Sequence, residues 1–263
     1  MTWSPGSPDG ARSRSCEQPM KLKGKVAVVT GGAKRIGREI AVALAARGCH
    51  VAITYNRSRA EAQAAVSKIR THRVKAAAFQ VDQRHFAAVR DAVREIHAEF
   101  GRIDILINNA SSFYPTPWDR VTDLQWEDLL KTNLTGPWWF AQAVGPIMKR
   151  QKGGKIINMA DVSVFSPWPD YLPYCVAKGG LVTLTKGLAK VLAPHVQVNA
   201  IAPGPILLPP DISSAEKKRV LDRTLLKRVG SPQDIVQAVL FFLEGSDFVT
   251  GVLLPVDGGR LLA

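Results

Sequence analysis

Tyr174 and Lys178 stand four positions apart in the run Tyr174-Cys175-Val176-Ala177-Lys178, within a stretch of helical period. On a helix that spacing puts both side chains on one face, about 6 Å apart. A nearby ammonium favours phenolate and lowers a tyrosine pKa from its reference value near 10, so the pair is suited to proton transfer near neutral pH. A second chemical feature is the turn Thr30-Gly31-Gly32-Ala33-Lys34-Arg35-Ile36-Gly37, which follows an apolar run and opens a helical one. Backbone N–H groups at such a junction cradle a pyrophosphate, so Gly31, Lys34, Arg35 and Ile36 are expected to border a dinucleotide.

The next strand-like run ends Tyr55-Asn56-Arg57-Ser58. An acidic residue here would accept from a ribose 2′-hydroxyl; instead Asn56, Arg57, Ser58 and Arg35 offer donors suited to a 2′-phosphate. The expected cofactor is therefore NADPH/NADP, the alternative being that Arg57 only solvates a loop. Asp82, past the third strand-like run, is placed either to accept from an adenine amino group or to cap the following helix.

These residues need a scaffold that brings strand ends together. Strand-like runs at 26–29, 50–54, 76–80, 103–107, 155–158, 196–199 and 252–255 alternate with helical stretches at about 36–47, 59–71, 84–99, 123–150, 173–192 and 232–244. The alternation predicts an α/β fold, a Rossmann-type doubly wound sheet of seven parallel strands flanked by helices, as one domain over 21–263. The longest irregular stretch, 203–215, has the length of a lid.

Hydrophobic residues make up 46% of the chain, enough for a large core, and no run reaches the roughly 18 apolar residues of a membrane span. The net charge of +13 is spread along the chain, which favours an anionic cofactor over nucleic acid as its meaning. Cys16, Cys49 and Cys175 lack C-x-x-C spacing and are odd in number, pointing away from disulfides and towards a cytoplasmic location. His72, His85, His97 and His195 have no metal-ligand spacing, and no metal is expected. Residues 1–20, rich in Ser, Pro, Gly and Arg, read as a flexible tail, with translation from Met20 an alternative start.

Asn108-Asn109-Ala110, Asn133-Leu134-Thr135-Gly136, Pro203-Gly204 and Val256-Asp257-Gly258-Gly259 complete a pattern. With them the chain resembles the classical short-chain dehydrogenase/reductase family over residues 22–263. The resemblance implies Tyr174 as proton donor, Lys178 as the residue that binds the nicotinamide ribose and tunes Tyr174, and Asn133 as holder of a relay water. It also implies that Asn109, Ala110, Pro203 and Gly204 line the cofactor, and that the chain is a homotetramer.

Two positions depart from the general family: Arg35 replaces a glycine of the turn, and Asp161 stands where a catalytic serine is usual. An ionised carboxylate facing a carbonyl that gains negative charge opposes its reduction, whereas a carboxyl sharing a proton with Tyr174 suits a ring nitrogen. Alternatively Asp161 points away and Ser163 supplies the hydroxyl. With Phe113 placed to stack on a flat heterocycle, Ser111 to bond its edge, and Leu207-Leu208-Pro209-Pro210 in the long loop, the chain resembles the pteridine reductase branch. That implies reduction of a dihydropterin or dihydrofolate, with Ser111, Phe113, Tyr174 and Leu208 around it. The alternative is a 3-oxoacyl-acyl-carrier-protein reductase or another NADPH-dependent carbonyl reductase. Trp168 and Tyr171 either cap the pocket or pack at a subunit contact.

Replacing Arg57 by Asp is expected to move cofactor preference towards NADH, read as the ratio of kcat/KM for the two dinucleotides. An unchanged ratio would place the 2′-phosphate elsewhere.

Overall fold

The computed structural model describes residues 20–208 and 212–263. The expected tail, apart from Met20, and Pro209-Pro210 of the long loop lie outside them. Seven parallel strands form one sheet: β1 (Val26–Val29), β2 (His50–Tyr55), β3 (Ala76–Gln80), β4 (Ile105–Asn108), β5 (Gly154–Met159), β6 (Val196–Pro203) and β7 (Leu253–Val256). Their spatial order is β3-β2-β1-β4-β5-β6-β7.

The central strands are apolar at successive positions because both faces are covered. Ala27 and Val29 of β1, with Ile105 and Ile107 of β4, enter a core shared with α1 (Arg35–Ala46), α2 (Arg59–Arg70) and α8 (Pro232–Leu240). Val28 and Leu106 point the other way, into a core shared with α3 (Phe86–Phe100), α5 (Gly136–Arg150) and α6 (Leu172–Leu192). Strand order reverses between β1 and β4, so the crevice at their carboxyl ends is where a ligand enters such a sheet.

Three elements differ from the sequence expectation. The stretch 123–150 divides into α4 (Asp123–Leu130), a π-helical turn (Lys131–Thr135) and α5. Pro137 has no N–H for the carbonyl one turn back, and the Gly136 N–H reaches back to Lys131. A Cβ on Gly136 would also lie 2.9 Å from Gln83 Cγ, so glycine lets the widened turn press on the loop after β3. The last long helix likewise gives way to a π-helical turn, Phe241–Gly245, after α8. A helix absent from the expectation, α7 (Ser214–Asp222), is closed by a reciprocal capping box between Ser213 and Glu216.

Buried polar contacts tie the site-bearing elements together. Asn158 of β5 accepts from Asn108 of β4 at 2.9 Å and donates to Thr185 of α6 at 2.9 Å. The site-bearing helix is thereby fixed against the middle of the sheet. Among the described residues no helix is long and apolar enough to cross a membrane.

Candidate active site

The glycine turn leaves β1 and packs directly on the end of β4. Gly31 has φ +64, and a Cβ there would lie 2.9 Å from Ala110 Cα. Asn109 closes the contact, donating through Nδ2 to the Thr30 carbonyl at 2.9 Å, while the Asn109 and Ala110 N–H groups donate to Thr30 Oγ1 at 2.9 and 3.0 Å. Arg35 begins α1 at φ +51, so the chain keeps, with a side chain, a left-handed conformation that glycine adopts more easily. Lys34 precedes it in extended conformation without a side-chain cap, so the first N–H groups of α1 remain available as anion donors. This uncapped helix end beside a tight glycine turn fits a pyrophosphate.

Lys34 is exposed and pairs with Glu61 at 2.5 Å, and Ile36 is half-buried. Asn56 and Arg57 are exposed at the end of β2, and Ser58 precedes α2 without capping it. Neither Arg35 nor Arg57 makes an ion pair or side-chain hydrogen bond among the described residues. Pro203 ends β6 and Gly204 follows it, its N–H donating to the Val256 carbonyl at 2.9 Å. Leu208 is half-buried beyond them.

Asp82 is not the cap of α3; His85 occupies that position. Its carboxylate is gripped by Arg84, from Nε at 2.9 Å and Nη2 at 2.6 Å, and that bond holds its pKa down to about 2. Arg84 also donates to Asp128 at 2.6 Å, and Asp128 accepts from the Tyr114 hydroxyl at 3.0 Å. Sequence reading missed this bridge because Asp128 lies 44 positions from Arg84. It also missed Gln83, a buried residue whose Nε2 donates to the Thr132 carbonyl at 2.6 Å, beside Asn133.

The catalytic candidates converge between β5 and α6. Asp161 follows β5; its Oδ1 accepts from the Ser163 N–H at 2.8 Å and its Oδ2 from the Tyr174 hydroxyl at 3.0 Å. The carboxyl therefore points at the tyrosine, not away from it, and the Ser163 hydroxyl is buried with no hydrogen-bond partner among the described residues. Lys178 lies one turn along α6, its Nζ 5.6 Å from the Tyr174 ring centre and donating to the Met159 carbonyl at 2.7 Å. Asn133 is wholly buried in the π-helical turn; its Nδ2 donates to the Ser112 and Leu129 carbonyls and its Oδ1 accepts from Ser111.

Burial dominates the electrostatics here. It raises the Asp161 pKa above the usual carboxylate value, outweighing the Ser163 N–H, the Lys178 charge and the Tyr174 bond, which oppose it. Lys178 falls to about 8, again through burial and against the pull of Asp161. Tyr174, expected to be lowered by Lys178, is instead raised well above 10, first by burial and then by the Asp161 charge. The phenol is held protonated, as a donor requires.

Phe113 is 53% exposed, and one ring face is stacked on Tyr171 at 4.5 Å and 5°. It meets Tyr174 edge-on at 4.9 Å and Trp168 at 6.0 Å. Trp168 and Tyr171 thus join Phe113 in an aromatic wall beside Tyr174. Cys175 is buried, its Sγ accepting from the Trp168 N–H at 3.4 Å.

A family model for the short chain dehydrogenases matches residues 25–219. A 3-oxoacyl-(acyl-carrier-protein) reductase of Staphylococcus epidermidis is 35% identical over 242 residues, 90% of this chain and 99% of that protein. The crystal structure of a putative short-chain alcohol dehydrogenase from Sinorhizobium meliloti superposes with a TM-score of 0.88 at 33% identity, covering 92% of this chain and 98% of that one. A xylitol dehydrogenase with bound NAD+ superposes at 0.83 with 29% identity, over 91% of this chain and 100% of that one. The likeness to 3-oxoacyl-(acyl-carrier-protein) reductases overturns the expected pterin or folate reduction and the pteridine reductase branch. Two physical reasons underlie the correction. The objection to a carbonyl assumed an ionised Asp161, whereas burial favours its neutral form. The Phe113 ring, expected to stack on a heterocycle, has one face taken by Tyr171.

Because the folded pKa of Asp161 is raised, its stabilising contribution is complete below the unfolded value and is lost as pH rises through the folded one. Replacing Asp161 by Asn removes that loss. The Tm of the variant relative to the parent chain is expected to rise between about pH 4, near the unfolded value, and about pH 7. A Tm difference independent of pH across that range would contradict the raised pKa.

Proposed function

The chain belongs to the short chain dehydrogenase family, and from that premise we propose that it is an NADPH-dependent carbonyl reductase acting on 3-oxoacyl thioesters. The observation that carries this reading is the hydrogen bond of 3.0 Å between buried Tyr174 and half-buried Asp161. Tyr174 is the proton donor of the pair: its hydroxyl, which donates to Asp161 here, would turn that proton to a substrate oxygen, and the carboxyl beside it is the group across which the proton is replaced.

The nicotinamide of NADPH, held by the glycine turn and the residues around it, would supply a hydride for the carbonyl carbon. Tyr174 then delivers its phenolic proton to the oxygen, giving the alcohol. Lys178, buried beside the ring, stabilises the resulting phenolate by its charge when protonated, and Asp161 can return a proton across the hydrogen bond. Asn133 fixes Ser111 and Ser112 at the mouth, and we assign it the additional role of holding a relay water. Ser111, Phe113 and Leu208 would border the acyl group.

Arg35 in the glycine turn and Arg57 after β2, both exposed and without an ion pair among the described residues, with Ser58, support a 2′-phosphate and hence NADPH. Gly31, Lys34 and Ile36 would lie along the pyrophosphate, with Asn109, Ala110, Pro203 and Gly204 towards the nicotinamide. The adenine role of Asp82 requires it to act beside Arg84. We place the enzyme in the cytoplasm, as a homotetramer, by likeness to its family.

The test follows NADPH oxidation with an acetoacetyl thioester, dihydrobiopterin and dihydrofolate in parallel. Turnover is expected with the thioester, and Tyr174→Phe should lower its kcat/KM by about 100- to 10,000-fold. Absence of thioester turnover by the parent chain would overturn the reading.

A further inference from the structure

We propose that the exposed surface of α7 and the turn that follows it docks an acidic carrier protein presenting the acyl thioester, with Lys217, Lys218, Arg219 and Arg223 as its cationic contacts. The inference rests on the thioester reading and adds the surface by which such a substrate is held. Residues 214–228 carry six basic and two acidic side chains.

Their pairing decides which charges are available. Glu216 accepts from the Ser213 hydroxyl at 2.6 Å within the helix cap and keeps its negative charge, so Glu216 and Asp222 offset part of the six cations. Arg228 is held by Asp234 at 2.8 Å, and Lys227 donates to the Asp222 carbonyl at 2.9 Å. The remaining four cations are exposed and make no ion pair among the described residues. Elsewhere exposed cations are mixed: Arg90 and Arg94 on α3 pair with Asp91 and Lys131 with Glu127, whereas Lys186 and Lys190 on α6 make no ion pair among the described residues, so it is the clustering of four within seven positions that marks α7.

Apolar surface accompanies the charge. Leu225 and Leu226 are 50% and 65% exposed in the turn after α7. An apolar centre within a charged rim is the composition of a protein-docking patch, and its sign fits an acidic partner. Position agrees. The segment stands at the carboxyl end of the sheet, where the Leu226 N–H donates to the Gly258 carbonyl at 3.1 Å and the Gly230 N–H to the Pro205 carbonyl at 2.9 Å. Asp161 and the glycine turn open at that same end. A carrier docked here would have only to extend its prosthetic arm into the crevice.

The test uses the full chain and a triple variant, Lys217→Glu with Arg219→Glu and Arg223→Glu. A control variant, Lys186→Glu with Lys190→Glu, alters exposed charges on α6. Two quantities are measured: anisotropy of a fluorescent apo acyl carrier protein, and KM for acetoacetyl groups on the carrier, on N-acetylcysteamine and on coenzyme A. The triple variant is expected to weaken carrier binding and raise carrier KM about tenfold at low salt, with the gap closing as salt rises. The KM for the N-acetylcysteamine thioester should not move. Equal losses on carrier and N-acetylcysteamine substrates, equal losses in the α6 control, or a loss confined to coenzyme A would each overturn the docking surface. If no thioester is turned over by the parent chain, the functional reading fails, and the anisotropy still decides whether this surface binds the carrier.

Discussion

A half-buried carboxyl group just beyond β5, hydrogen-bonded to the buried Tyr174, is the constraint on which the site depends. An unpaired buried carboxylate costs several kcal/mol, and each hydrogen bond to the charged form returns about 1.5–3 kcal/mol. Asp161 receives two such bonds, from the Ser163 N–H and the Tyr174 hydroxyl, with the Lys178 charge nearby. Burial still prevails, so the proton is held more tightly than in water. Burial also keeps Tyr174 protonated and lowers the Lys178 pKa to about 8. Three titratable groups thus share one environment, and a change in the charge of any one is felt by the other two.

Such an arrangement survives only if its backbone cannot shift. Lys178 is anchored to the Met159 carbonyl, the Ala160 N–H donates to Ile201 of β6 at 2.7 Å, and Asn158 ties β5 to α6 through Thr185. On the other side Asn133, in its π-helical turn, fixes the loop carrying Ser111 and Ser112. Gln83 joins that turn to the segment after β3, so the substrate mouth and the cofactor side are parts of one packed unit.

Much of this was legible from residue types because the central strands are short apolar runs and the glycine turn sits at the first strand-to-helix junction. All seven strands and the parallel doubly wound class were read from that alternation. The break at Gly136-Pro137 was hidden by helical periodicity continuing on both sides, although the proline marks it. The α7 helix was announced by Ser213 and Glu216 at capping-box spacing, yet lay in a stretch dominated by its Pro-rich start. Partners distant in sequence were illegible: Tyr171 on Phe113 and Asp128 on Arg84 depend on tertiary packing. The sign of the Tyr174 shift failed for a related reason, since spacing reveals a neighbouring ammonium but not the depth of burial. The pterin expectation rested on short runs around Arg35, Phe113, Asp161 and Leu208, while likeness along nine-tenths of the chain points to 3-oxoacyl reductases.

The most direct measurement is a carbon-13 NMR titration of the Asp161 side-chain carboxyl in selectively labelled protein, assigned by its loss in Asp161→Asn. The account predicts a midpoint above the value of about 3.9 for an unperturbed aspartate, with the Tyr174 ring signals responding at the same pH. A midpoint at or below that value would contradict the burial-dominated environment assigned to Asp161.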